Sequence, residues 1–165
     1  MSLAVKCNVP SLVHPILRAQ GDVNMAFERA HDRTPLHRVA MRGNLSFCKL
    51  LLAAGADLAR RDSNGATAVH LASYKGRLQV AEALLALDPA LAAQADSIGR
   101  TPCHMAAVKG HLAVVQCLIQ KRASFDARAS DGRTPIDMAK SGQHQELARY
   151  LERLEDVRVV QQLAA

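Results

Sequence analysis

One short phrase occurs four times in this chain at an almost constant interval. It reads Thr34-Pro35-Leu36-His37, Thr67-Ala68-Val69-His70, Thr101-Pro102-Cys103-His104 and Thr134-Pro135-Ile136-Asp137. The threonines at 34, 67, 101 and 134 are separated by steps of 33, 34 and 33 residues. A fixed period of this size marks a stack of small supersecondary units, none able to bury its apolar face alone. Each unit then touches only its neighbours, and the surface available to a partner is long and open rather than a closed pocket.

Aligned on the threonine, the units share more than the phrase. Five positions on stands a small residue: Val39, Ala72, Ala106, Ala139. Nine positions on stand Gly43, Gly76, Gly110 and then Gln143, each followed by a polar residue: Asn44, Arg77, His111, His144. An apolar stripe follows at offsets of three, four and seven, as in Leu45, Cys48, Leu51, Leu52 or Leu112, Val115, Leu118, Ile119. That spacing predicts an amphipathic helix. Each unit therefore reads as two short antiparallel helices. Threonine caps the first, and proline sits where a missing N–H costs nothing. The glycine ends it in a left-handed conformation. Between units, runs such as Arg61-Asp62-Ser63-Asn64-Gly65 and Ala95-Asp96-Ser97-Ile98-Gly99 predict tight turns.

This pattern resembles the ankyrin repeat, over roughly residues 28–154. The resemblance implies an all-α fold: a solenoid of stacked helix-turn-helix units with protruding β-turns. The expected organisation is a degenerate N-terminal cap at 1–27, repeats at 28–60, 61–94 and 95–127, a capping repeat at 128–154 and a tail at 155–165. In the cap, residues 16–24 echo residues 51–58. In the last unit Glu152 and Gln145 replace apolar residues, as a wettable outer face requires. Leu147, Tyr150, Leu151 and Leu154 are still expected to face inward. The tail is expected to extend the helix or fray.

Three departures stand out. Arg38 replaces the apolar Leu71, Met105 and Met138, either because the first unit is poorly covered, the preferred reading, or because Arg38 is functional. Asp32 stands where Gly65, Gly99 and Gly132 stand, so the first turn is expected to differ. An extra residue near Leu87-Asp88-Pro89-Ala90 predicts a rebuilt loop.

Composition agrees with a folded chain whose core lacks large rings. Of 165 residues, 49% are apolar and 22% charged, but only 3% aromatic, so the core must come from Leu, Ala, Val and Ile. There is no run of 18 apolar residues to span a membrane, and the start is broken by Asn8 and Pro10 too early for a signal peptide. Cys7, Cys48, Cys103 and Cys117 form no CxxC pair and read as reduced thiols, which favours the cytoplasm with the nucleus open.

Seven histidines invite a metal or catalytic reading, but no three converge at zinc-like spacing. By the resemblance, His37, His70 and His104 belong to a hydrogen-bond network with the threonine and adjacent turns. His14 and His31 stand alone. No GxSxG elbow or phosphate-cradling glycine loop occurs. No enzyme, cofactor or metal is expected.

The resemblance places partner binding on the turn tips and the inner face of the first helices. Here those positions are His31, Arg33, Asn64, Ile98, Arg100 and Arg133 at the turns, and Met41, Arg42, Tyr74, Lys75, Val108 and Lys109 late in the helices. Arg33, Arg100 and Arg133 precede threonines, whereas Arg42, Lys75 and Lys109 precede glycines. With a net charge of +6, this groove would suit an acidic, partly apolar segment of another protein, bound by a monomeric adaptor, scaffold or inhibitor. An alternative is a phosphorylated ligand such as RNA or an inositol lipid head group, although Tyr74 alone among these residues offers a stacking platform. Self-association through the exposed ends is a third reading, and charges that merely keep the array soluble are the plainest. Asn24, in an Asp-Val-Asn stretch, would be a candidate for hydroxylation by the same resemblance.

Overall fold

The structure, a computed structural model, describes residues 22–26 and 31–163. Cys7, His14 and most of the expected N-terminal cap lie outside the described residues. Among the described residues there are eight α-helices, one 3-10 turn and no β-strand. The first helices of the units are α1 (Pro35–Arg42), α3 (Ala68–Tyr74), α5 (Pro102–Ala107) and α7 (Pro135–Ser141). The second helices are α2 (Leu45–Ala53), α4 (Leu78–Leu87), α6 (Leu112–Gln120) and α8 (Gln145–Leu163). Each first helix packs on the next, α1 on α3 on α5 on α7, and α4 packs between α2 and α6. This is the stacked solenoid that the period required.

The repeated phrase builds the start of each first helix and joins it to the next unit. The threonine N–H donates to Nδ1 of the histidine three residues on, at 3.2, 3.2 and 3.1 Å for His37, His70 and His104. The threonine hydroxyl lies 2.8 to 2.9 Å from the same nitrogen. Nε2 of each ring faces a carbonyl of the following turn: Ala66 at 3.0 Å, Arg100 at 3.1 Å and Arg133 at 3.2 Å. A carbonyl only accepts, so Nε2 carries the hydrogen and Nδ1 accepts. All three rings are therefore neutral and fixed in one tautomer. In the last unit Asp137 stands in the histidine's place and makes the local half of the network, accepting from the Thr134 N–H at 2.9 Å.

The small residue five positions after each threonine lets the first helices approach closely. Val39, Ala72, Ala106 and Ala139 are all fully buried. The apolar stripes of the second helices close the core, with Leu51, Leu84 and Leu118 fully buried.

The glycines after the first helices serve a second purpose. Gly76 has φ +66, and a Cβ there would lie 2.7 Å from the ring of His111. His111 lies across it to donate from Nε2 to the Tyr74 carbonyl at 3.2 Å. Arg77 reaches Met41 O at 3.1 Å and His144 reaches Val108 O at 3.2 Å in the same way. Gly76→Ala should therefore cost about 2 kcal/mol, from left-handed strain plus the displaced ring. Urea unfolding at neutral pH checks this. Gln143, in the equivalent place of the last unit, adopts φ +60 without being glycine.

The departures from the repeat have local explanations. Asp32 keeps the positive φ of the glycines it replaces, +52, but His31 beside it is also left-handed at +58, so the first turn does differ. The extra residue is taken up by a 3-10 turn, Pro89–Ala92, which Asp88 caps by accepting from the Ala90 N–H at 2.9 Å and which buries Leu91 and Ala92. At the far end Leu147 and Leu151 are buried, whereas Tyr150 and Leu154 are only half-buried. Glu152 pairs with Lys140 at 2.7 Å. The tail extends α8 to Leu163. No helix among the described residues is long and apolar enough to cross a membrane.

Candidate functional site

The turn tips are built on a second ladder of backbone bonds. Ser63 N donates to His31 O at 2.9 Å, Ser97 N to Asn64 O at 3.0 Å, and Ser130 N to Ile98 O at 3.0 Å. Asp62 and Asp96 shape their turns from within, each with a fully buried carboxylate. Asp62 Oδ1 accepts from the Asn64 and Ala66 amides at 2.9 and 3.0 Å. Asp96 Oδ1 accepts from those of Ile98 and Arg100 at 3.1 and 2.9 Å.

The second oxygen of each carboxylate holds an arginine. Arg33 Nε meets Asp62 at 3.1 Å, and Arg33 also approaches Met41 Sδ at 3.6 Å. Arg100 meets Asp96 at 2.8 Å, and Arg133 pairs with Asp131 at 2.6 Å on the open surface. The three arginines that precede threonines thus have their charges balanced within the protein. The first two are anchored as fixed walls. The third pair is exposed and contributes little to stability.

Between these walls lie three hollows. The first, of about 260 Å³, is lined by Arg33, Arg38, Met41 and Arg42. The second, of about 290 Å³, runs from Arg33 and Asn64 past Leu71 and Tyr74 to Arg100 and Met105. The third, of about 420 Å³, is lined by Ile98, Arg100, Met105, Val108, Arg133 and Met138 among others. The first two share Arg33, and the last two share Arg100 and Met105. The hollows therefore form one groove divided by clamped arginines.

At the helix-end border of the groove, Lys75 and Lys109 both stand over the ring of Tyr74, their ammonium groups 5.4 and 5.0 Å from its centroid. Both are exposed. The electron-rich ring face draws the two cations together. Ile98 is 53% exposed at the mouth of the third hollow. His31 is exposed at its turn and lines none of these three hollows.

The groove also contains residues not singled out as binding positions from sequence. The position four after each threonine, occupied by Arg38, Leu71, Met105 and Met138, lines the hollows from end to end. The signal was visible as the Arg38 departure, but its place on this face was not. Arg38 lies in the first hollow, half-buried.

The remaining chemical groups have structural settings. Burial pushes the Cys48 thiol up to about 11 and that of Cys103 to about 12, so neither is a ready thiolate at neutral pH. Among the described residues no three His, Cys, Asp or Glu side chains gather as a metal site. Asn24 spans to the next unit, donating to Gly55 O at 3.2 Å and accepting from the Asp57 N–H at 2.8 Å.

A family model described as ankyrin repeats (3 copies) matches residues 1–95 and 87–160. The chain belongs to the ankyrin-repeat family. Two similar proteins are described as Potassium channel AKT1, from Oryza sativa subspecies indica and japonica. Each is 39% identical over 74 residues, which is 45% of this chain and 8% of the relative. The chain thus spans under a tenth of the length of those curated relatives. Ankyrin repeats are protein–protein interaction modules and are generally non-catalytic.

Proposed function

We propose that this ankyrin-repeat chain acts without catalysis as an adaptor, scaffold or inhibitor, gripping an acidic, partly apolar segment of another protein in the groove between its turn tips and first helices. The observation that carries the reading is the run of three joined hollows, walled by arginines held in place by buried aspartates. Fixed walls reduce the ordering cost of binding. The balance of charge favours a protein over a nucleic acid. Arg33, Arg100 and Arg133 already face carboxylates, which lowers what these three can add to the neutralisation of successive phosphates.

The test is affinity capture from nuclease-treated and untreated lysate, comparing wild type with the Arg42, Lys75, Lys109→Glu variant. A protein retained by wild type in both lysates and lost with the variant is the expected result. Its affinity should fall at least about tenfold on charge reversal. Recovery only without nuclease would transfer the groove to RNA. Equal capture by both forms would move binding to another face.

A further inference from the structure

We propose that the partner segment sets one large apolar side chain in the third hollow and one carboxylate on Lys75 and Lys109, the two roughly four residues apart in an extended peptide. The proposal rests on the groove reading above and adds to it which side chain goes where.

The lysines differ from the arginines of the turns. Arg33, Arg100 and Arg133 each meet a carboxylate of the protein. Among the described residues no carboxylate lies in ion-pair contact with Lys75 or Lys109. Both are exposed, and both stand over the Tyr74 ring. A ring attracts a cation through its quadrupole and leaves the charge itself uncancelled. The neighbourhood is cationic as well. Burial, and after it the charges of His144, Arg77 and Lys109, hold the His111 imidazole below its ordinary value, with its bond to the Tyr74 carbonyl partly offsetting them. Charge complementarity there calls for an acid.

The third hollow has the opposite character. Met105 and Met138, both buried, form its floor, with Val108 and the exposed Ile98 beside them. The arginines on its rim, Arg100 and Arg133, are balanced by Asp96 and Asp131. At about 420 Å³ it has the size of a small-ligand cleft and can take a Leu, Ile, Met or Phe side chain. Filling it and covering Ile98 removes apolar surface of both partners from water. Methionine suits such a floor because its flexible thioether adapts to several occupants.

The spacing follows from the stack. Residues of α5 and α7 line the third hollow, whereas Tyr74, which gathers the lysines, ends α3. Packed helices lie roughly 8–10 Å apart, so one and a half spacings put the two places roughly 13 Å apart. An extended chain rises roughly 3.3 Å per residue, which gives roughly four residues.

The experiment is a selection of random twelve-residue peptides displayed on phage against the full chain. Selected peptides are then synthesised and measured by fluorescence anisotropy. The expected peptides carry one large apolar residue and an Asp or Glu roughly four positions away. The exposed substitution Ile98→Asp weakens them at least about tenfold. Replacing the peptide's acid by its amide weakens them about fivefold, and so does Lys75→Gln with Lys109→Gln. On that lysine variant the amide costs nothing further, because the two changes remove the same contact. Doubling the separation of acid and apolar residue costs as much as the amide. Peptides that Ile98→Asp abolishes, but whose acid acts equally on wild type and the lysine variant or is not needed, overturn this proposal and leave the groove reading standing. A selection without binders, or binders indifferent to every groove substitution, removes both.

Discussion

The folded chain should lose stability steeply between about pH 6.5 and pH 4. Burial pushes the His70 imidazole from its ordinary 6.5 down to about 4, partly offset by its bond to the Arg100 carbonyl. His37 and His104 are lowered for the same reason. As pH falls, the unfolded chain binds protons on these rings first, while the folded chain resists. Stability is therefore full above the unfolded value and is lost as pH approaches the folded one. For His70 alone the loss is about 2 kcal/mol by pH 5 and about 3 kcal/mol by pH 4. His37 and His104 add to it. The chemistry agrees with the sign: a proton on Nδ1 would face the Thr67 N–H 3.2 Å away, donor against donor. Urea unfolding at about pH 7.5 and about pH 5 tests this. A free energy that changes by less than about 0.5 kcal/mol would contradict the neutral-ring network.

Leu84→Ala should cost about 3 kcal/mol, whereas Leu87→Ala on the same helix should cost less than about 0.5. Leu84 is fully buried and Leu87 is 61% exposed, three residues further along α4. The lost side chain leaves a cavity in the helix that packs on both α2 and α6. In a linear array, damage to a middle unit weakens the interfaces on both sides. Denaturant midpoints of the two variants check the difference. Equal losses would mean that α4 presents another face to the core.

The helices were legible because two periods coincide in the sequence, the repeat of 33 or 34 residues and the three-four spacing within it. The fixed histidine could be placed because the same residue recurs three times beside the same threonine. The pairing of the arginines could not. Asp62 and Asp96 are equivalent by register, yet Asp96 holds Arg100 of its own turn whereas Asp62 holds Arg33 of the turn before. The reason is that Ala66 occupies the place of Arg100 in the second unit. That choice depends on which cation is within reach across the stack, a property of three dimensions. The groove floor was half legible. Arg38, Leu71, Met105 and Met138 are evident as one column of the alignment, but helical spacing alone did not assign that column to the groove rather than the core. Val108 shows the same limit from the other side, since it is both half-buried and part of a hollow.

The central claim is that a partner lies in the groove of the first helices and turns. Hydrogen–deuterium exchange of the full chain, with and without the captured partner, tests it most directly. The account predicts new protection at the turns around Asn64, Ile98 and Asp131 and at the ends of α3 and α5, with α2, α4 and α6 unchanged. Protection confined to α2, α4 and α6, with the turns exchanging as before, would contradict it.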